Sequence, residues 1–378
     1  MTEHTLPGSS APRRNSNVEW LRVASMLMIV AYHYSIWGFY EEELAATGNK
    51  TFVDLFGMLG KAGTDLFVLI SGYYMAEQRY SVKKFLNLMG TVWFYTIGAM
   101  LCLGVLGGQP VTRLDLEYAF LPLKTSHYWF VNYYVLLMLC TPFLNRLVHA
   151  LDRKQHALLC AFCIGLVTVV PEFAHVSYAA GSLPLFVTLY VCAAYCRLHV
   201  RHELPTARRC LLLAAVLLGL CVLRIVLTDM ICRRTGNMER LMRSTAFMGA
   251  YSPFALALGV LLLIGAACRP AGTDRLGARL GGLTFGVYLF QSNNYVSEAL
   301  WQGILNTRAY TASPLLPLHA LGSVAGVFAA GLLVEYLRQI TLGRLWKKLT
   351  DRIAPPLERL LSAAFDRLLA VAERLLRL

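Results

Sequence analysis

Residues 20–39 read WLRVASMLMIVAYHYSIWGF, an apolar run broken only by Arg22 and His33 among its ionisable side chains. About 20 predominantly apolar residues is the length a helix needs to cross a bilayer. The run is too long for the core of a signal peptide and no small-residue cleavage site follows it, so it reads as an uncleaved first span. The polar residues before it, with Arg13 and Arg14, read as a disordered cytoplasmic lead-in over 1–18.

The same pattern recurs along the chain. About ten apolar segments are expected, near 20–39, 62–77, 85–106, 128–147, 156–171, 183–197, 210–228, 247–267, 282–297 and 316–337. Hydrophobic residues make up 57% of the 378 and charged residues 15%, and the mean hydropathy is +0.52. A soluble domain of this size could not bury so much apolar surface, whereas lipid solvates it. A helix satisfies its own backbone groups, and it is the open-ended structure that lipid tolerates. The expected fold is therefore all-α, a polytopic bundle spanning 19–340. The segments at 62–77 and 282–297 are short for a span, and short helices often line a cavity.

The formal charge of +13 is spread over the connections between apolar blocks. That distribution fixes membrane orientation rather than forming a nucleic-acid patch, so a nucleic-acid partner is not expected. With the N-terminus inside, the inner connections carry Arg79, Lys83, Lys84, Arg146, Arg153, Lys154, Arg197, Arg201, Arg208, Arg209, Arg269, Arg275 and Arg279. The opposite loops are poorer in cations, as at Glu41–Glu43. One loop dissents, with Arg233, Arg234, Arg240 and Arg243 outside, and it reads as a solvated basic loop or a contact for an anionic group. Both termini are expected in the cytoplasm. The tail, 341–378, pairs leucines with charges at helical spacing from Pro355 onward and reads as an amphipathic helix on the inner membrane surface. Most of the ten cysteines lie within apolar blocks, and Cys160 and Cys163 have no second CxxC pair, so neither a disulfide framework nor a zinc site is expected.

An ionisable side chain at mid-membrane costs roughly 2.5–3.5 kcal/mol on insertion scales. Arg22 and His33 are eleven positions apart, roughly 16 Å along a helix and about three turns, so both face the protein interior. Arg22 falls toward the inner side and His33 in the outer half. The next span returns inward with Asp65 expected at the depth of His33, and Ser71 and Gly72 deeper. A carboxylate in reach of a neutral imidazole orients a general base; alternatively Asp65 caps a helix or pairs with Lys61. Tyr288, Gln291, Ser292, Asn293, Asn294, His127, Trp129, Asn132 and His319 fall at the outer level, where they offer groups for binding hydroxyls. Trp129 and Tyr128 also suit a headgroup-level aromatic belt.

Four stretches carry a resemblance: LRVASMLMIVAYHY at 21–34, with Arg22 and His33; GKAGTDLFVLISGYYM at 60–75; YWFVNYYVLLMLCTPFL at 128–144; and LTFGVYLFQ at 283–291. Together they resemble the acyltransferase-3 family of bacterial integral membrane O-acyltransferases, in the expected order over about 16–340. The resemblance implies transfer of an acyl group, usually acetyl, from cytoplasmic acyl-CoA to an outward hydroxyl of an envelope carbohydrate or lipid-linked sugar. The membrane would be the bacterial inner membrane. It implies His33 as base or acyl relay with Asp65 orienting it. Arg22 would support the donor side, Ser71 and Gly72 would permit close helix approach along a donor channel, and Arg79, Lys83 and Lys84 would meet the CoA phosphates. Trp129, Asn132, Tyr288, Gln291, Asn294 and His319 are the expected acceptor contacts. Acyl-CoA is a substrate, and no bound cofactor or metal is expected. The family's ninth-helix histidine is Gln291 here, with Thr284 and Phe285 in place of a Ser-Tyr pair; glutamine hydrogen-bonds but carries no proton, so that role is lost or moved to His319. Two rival readings of the same residues are a secondary transporter or exporter of a small solute, with His33 and Asp65 as a proton relay, and a catalytically inactive sensor module.

Overall fold

A computed structural model describes residues 15–376 apart from 79, 106, 109, 126–127, 175–181, 271 and 273. Arg13, Arg14, Arg79 and His127 therefore lie outside the described residues. Helices account for all regular structure among those described. The main ones are α1 (Ser16–Trp37), α2 (Lys50–Gly57), α3 (Gly60–Met75), α4 (Val82–Ala99), α5 (Trp129–Ala150), α6 (Arg153–Ile164) and α7 (Leu183–His199). The series continues with α8 (Leu204–Thr235), α9 (Pro253–Ala267), α10 (Thr284–Gln291), α11 (Leu316–Ile340) and α12 (Leu342–Leu376).

Local chemistry sets several boundaries. The Asn15 side chain accepts from Asn17 N–H at the start of α1. Asp152 and Gln155 form a reciprocal capping box on α6, and the Ser252 hydroxyl caps α9 just before Pro253. The long α8 stops at Gly236, whose φ of +67° is the left-handed conformation that glycine adopts without strain.

Six helical stretches are long and apolar enough to cross a membrane: Val82–Cys102, Trp129–Ala150, Arg153–Ala174, Leu204–Thr235, Met238–Ala267 and Leu316–Ile340. Each remaining expected segment also coincides with a helix, but those helices are shorter or more polar. The reason is clearest for α3, where residues 65–73 are all buried. It is wrapped by α1, α7 and α9 and has no lipid face. The peripheral helices show the opposite, with Leu158 72%, Phe162 64% and Leu212 66% exposed. Apolar side chains pointing outward at that density belong in lipid. The chain is an all-α membrane bundle.

Two expected segments differ in outline. The ninth breaks after Gln291, because Asn293 caps a separate short helix, Asn294–Glu298, and also donates 2.9 Å to Tyr128 Oη. The tail helix begins at Leu342, ahead of the leucine-paired stretch from Pro355, and its first half docks on α4. The Trp346 indole N–H donates to the Leu86 carbonyl at 3.1 Å, over a glycine, Gly90, where a Cβ would come within 2.2 Å of the indole. Lys83 pairs with Asp351, and the Glu358 carboxylate accepts from Val82 N–H at 3.0 Å.

The connections sort by charge. Asn15 and Asn17 reach the backbone at Ala267 and Pro270, Arg197 pairs with Glu77, and Asn145 donates to the carbonyls of Met75 and Gln78. These contacts place Arg197, Lys83, Arg146 and Arg269 at one end, with the start of α1 and the docked tail. At the other end the dissenting Arg243 shares a cleft with Glu41, Glu42 and Glu43, and Arg233 donates to the Thr47 carbonyl at 2.7 Å. Local acids and backbone thus offset that loop's excess charge.

Candidate active site

Three glycines at intervals of three set the approach of α1 to α2 and α3. A Cβ at Gly57 would lie 2.5 Å from Ser35 Oγ, at Gly60 2.1 Å from Tyr32 Cβ, and at Gly63 2.7 Å from the Ser25 carbonyl. Such small residues let helices pack closely in lipid, where dispersion supplies the attraction. They also fix the antiparallel register: Gly60 opposes Tyr32, and Gly63 opposes Ser25–Ile29.

That register brings His33 and Trp37 of α1 against Lys61 and Thr64 of α3 around a cavity of about 90 Å³. Trp129 and Phe130 from α5, and Phe285 and Tyr288 from α10, supply its aromatic walls. His33 is 8% exposed and stacks on Trp37, with centroids 3.9 Å apart. The buried Gln291 carboxamide lies against the imidazole. Neither of its polar atoms, nor His33 Nδ1, makes a well-formed hydrogen bond. The Lys61 ammonium sits 4.9 Å from the Tyr32 ring centre and 5.7 Å from that of Trp129, close enough to act on both His33 and Asp65. Nδ1 is itself buried, so a proton taken from the cavity reaches the other ring nitrogen, while the neighbouring ammonium favours negative charge that develops on a substrate.

The expected His33–Asp65 hydrogen bond is not formed. Asp65 is 2% exposed, yet its Oδ2 has no hydrogen-bond partner. The glycine register explains this: with Gly60 against Tyr32 and Gly63 against Ser25, Met28 and Ile29, Asp65 falls deeper along α1 than His33. The short helix α2 occupies the outer layer in which Asp65 was expected.

Arg22 lies toward the basic end, 4.0 Å from the Glu19 carboxylate and 5.8 Å from the centre of the Phe67 ring. Its Nε has no hydrogen-bond partner. Ser71, Tyr74 and Tyr134 converge on the same space, and Ser71 Oγ donates back to the Phe67 carbonyl at 3.0 Å. Gly72 permits close helix approach as expected, but the helix that approaches is α7. A Cβ there would meet Ala193 and Tyr190 at 3.1–3.3 Å, so Gly72 faces away from Arg22. Lys83 is held by Asp351, and Lys84 Nζ donates to Gln78 Oε1 at 2.5 Å.

Of the expected acceptor residues, Trp129, Tyr288 and Gln291 meet at the His33 cavity. Asn132 instead donates to the Leu123 carbonyl at 2.9 Å and holds the turn before α5, and Asn294 is exposed away from the cavity. His319 does not replace the missing histidine. Its Nδ1 accepts from Tyr34 O–H at 2.9 Å, its Nε2–H donates to the Leu305 carbonyl at 3.0 Å, and its ring stacks on Tyr310 at 3.8 Å. Tyr34 follows His33 in sequence but leaves α1 about 100° around the helix, so His319 packs on another face. Lys61 and Trp37 are the residues that sequence reasoning undervalued. The glycine spacing at 57, 60 and 63 is the signal that turns Lys61 toward α1.

No curated protein and no solved structure matches the chain. A family model described as an acyltransferase domain matches residues 15–339, from the cap of α1 to the end of α11. That span contains the His33 cavity, the Arg22 cluster and every membrane helix, and the chain therefore belongs to the acyltransferase-3 family and is a multi-pass membrane acyltransferase.

Proposed function

We propose that the protein transfers an acetyl group from cytoplasmic acetyl-CoA to a hydroxyl of an envelope carbohydrate or lipid-linked sugar beyond the bacterial inner membrane. The observation that carries this reading is His33, with an unpartnered nitrogen, facing Lys61 in an aromatic cavity while Arg22 lies on the same helix toward the basic end.

In this reading the basic end faces the cytoplasm, as the positive-inside rule requires. Arg79, Lys83 and Lys84 meet the CoA phosphates, and Arg22 with Ser71 supports the arm that carries the thioester between α1 and α3. His33 takes the proton of the acceptor hydroxyl as its oxygen attacks the thioester carbonyl. Lys61 stabilises the oxyanion that forms. Collapse breaks the C–S bond, and the imidazolium returns its proton to the leaving sulfur, giving free CoA and a neutral His33. Asp65, one turn along α3 from Lys61, lies near the ammonium without pairing with it, which leaves Lys61 available to the developing charge. Trp129, Tyr288 and Gln291 shape the acceptor's approach.

The test is free-thiol release from acetyl-CoA by protein in lipid nanodiscs, with and without a cell-envelope glycan extract, for wild type and His33→Ala. Extract-dependent release that disappears in the variant supports the reading. Release unchanged by His33→Ala removes His33 from the chemistry, and no release with any glycan extract removes the transferase assignment to these substrates.

A further inference from the structure

A second, larger cavity of about 270 Å³ opens outward from the His33 site, and apart from Lys61, which it shares with that site, its polar wall has no part in the chemistry above. It lies between α1, α2, α3 and the turn at 245–249. Lys50 and Asp54, 2% and 9% exposed, form an ion pair in its wall. Lys50 Nζ is 2.5 Å from both carboxylate oxygens, and Ser244 Oγ donates to Asp54 at 2.7 Å. Asp229 of α8, 1% exposed, stands behind Asp54, and neither of its carboxylate oxygens has a hydrogen-bond partner.

Burying such a pair costs more desolvation than an apolar pair of the same volume, so it is a poor device for stability alone. Its place on a cavity wall points to a ligand. We propose that this cavity is the acceptor subsite and holds one neutral sugar ring, with the Lys50–Asp54 pair binding its hydroxyls; this rests on the carbohydrate-acceptor reading above.

Three features select that ligand class. The volume lies just below the roughly 300–1,000 Å³ of small-molecule sites, enough for one ring and too small for a folded partner. The wall offers ammonium donors, carboxylate acceptors and the aromatic faces of Tyr32 and Phe39, which match a ring that is hydroxylated at its edge and apolar on its faces. Lys50 and Lys61 face Asp54 and Glu41 across it, and the buried Asp229 adds a further carboxyl group behind Asp54, which favours a neutral ligand over an anionic one. Tyr32, Ile36 and Lys61 line this cavity and the His33 cavity alike, so a ring held here has a hydroxyl directed past Lys61 toward His33.

The experiment is saturation-transfer NMR on the full chain in nanodiscs. Its probes are the methyl pyranosides of glucose, galactose and N-acetylglucosamine, with methyl glucuronide as the anionic comparison. Ala246→Phe places a ring in the cavity from its exposed lip and leaves the buried pair intact. The expected result is saturation of at least one neutral glycoside in wild type and in His33→Ala, with loss in Ala246→Phe, weaker transfer to the glucuronide, and a rise of roughly tenfold or more in the acceptor KM of Asp54→Asn. No saturation of any neutral glycoside, or equal saturation in Ala246→Phe, overturns the subsite. Equal binding of the glucuronide overturns the neutral-ligand assignment. Glycoside binding by a protein that acetylates no glycan would leave the cavity a sugar site and sink the transferase reading alone.

Discussion

The His33 imidazole lies over the Trp37 indole with ring centroids 3.9 Å apart and planes 21° from parallel. The two residues are one helical turn apart, so the stack fixes the imidazole plane without support from another helix. It also places a π face where an imidazolium forms once His33 has taken a proton. Trp37→Leu is expected to lower kcat for acyl transfer roughly tenfold, an effect of about 1.4 kcal/mol, with the donor KM little changed. Trp37→Phe, which keeps a ring, should retain most of the rate. A Trp37→Leu enzyme with wild-type kcat would show that the stack only fills space.

Lys61 makes no ion pair within 4 Å among the described residues, although it faces His33 and lies one turn from Asp65. A cation held this way is available to charge that develops on the substrate. Removing one preorganised oxyanion donor costs about 10²–10³ in kcat. Lys61→Met keeps the stem and loses the charge, and a fall of that size in thiol release is expected, with partial recovery in Lys61→Arg. Equal rates for Lys61→Met and wild type would assign the lysine to packing.

Gln291 is fully buried and neither of its amide atoms makes a well-formed hydrogen bond. Such a group destabilises the fold by about 1–3 kcal/mol relative to a satisfied or apolar one. Its place against His33 gives a reason for the cost, because a neighbouring dipole selects which imidazole nitrogen carries the proton. Gln291→Leu is therefore expected to raise the melting temperature and lower kcat together. Thermal melts and thiol release on the same preparation decide it: a variant that is both less stable and fully active contradicts the assignment.

Much of this architecture is legible in the sequence. Hydropathy placed a helix at every expected segment, because the length an apolar run needs in lipid is set by the bilayer. The shared face of Arg22 and His33 followed from helical periodicity alone. Sequence spacing could not supply the register between helices. Asp65 was expected level with His33, but Gly57, Gly60 and Gly63 lock α2 and α3 against α1 so that Lys61 takes that level. The outer cavity was hidden for a similar reason. Lys50 and Asp54 look like an exposed i, i+4 pair until α8 and Ser244 cover them.

The tail helix is tied to α4 by Trp346 over Gly90, by Thr350 on Asn87 and by the Lys83–Asp351 pair. Trp346→Ala removes the indole and its hydrogen bond while leaving the bundle's internal contacts unchanged. Limited trypsin digestion is expected to cleave the variant at Lys347–Arg352 at least several-fold faster than wild type, because exposure to protease tracks local opening. Equal cleavage rates would mean that the remaining contacts hold the tail without the tryptophan.

His319 supplies the converse test of where the chemistry lies. Both of its ring nitrogens are occupied, by Tyr34 O–H and the Leu305 carbonyl, and its ring is stacked on Tyr310. A histidine fixed as donor on one side and acceptor on the other has no lone pair left for a substrate proton. It does connect α1, α11 and the 300–310 segment. His319→Ala leaves the Tyr34 hydroxyl without its acceptor, at a cost of about 1–3 kcal/mol. The expected pattern is a lower melting temperature with kcat unchanged in the folded fraction, whereas His33→Ala should abolish thiol release with little change in melting. Should His319→Ala abolish turnover in protein that still melts as wild type does, the proton-transfer role belongs to the tenth-segment histidine, and the assignment to His33 would have to be withdrawn.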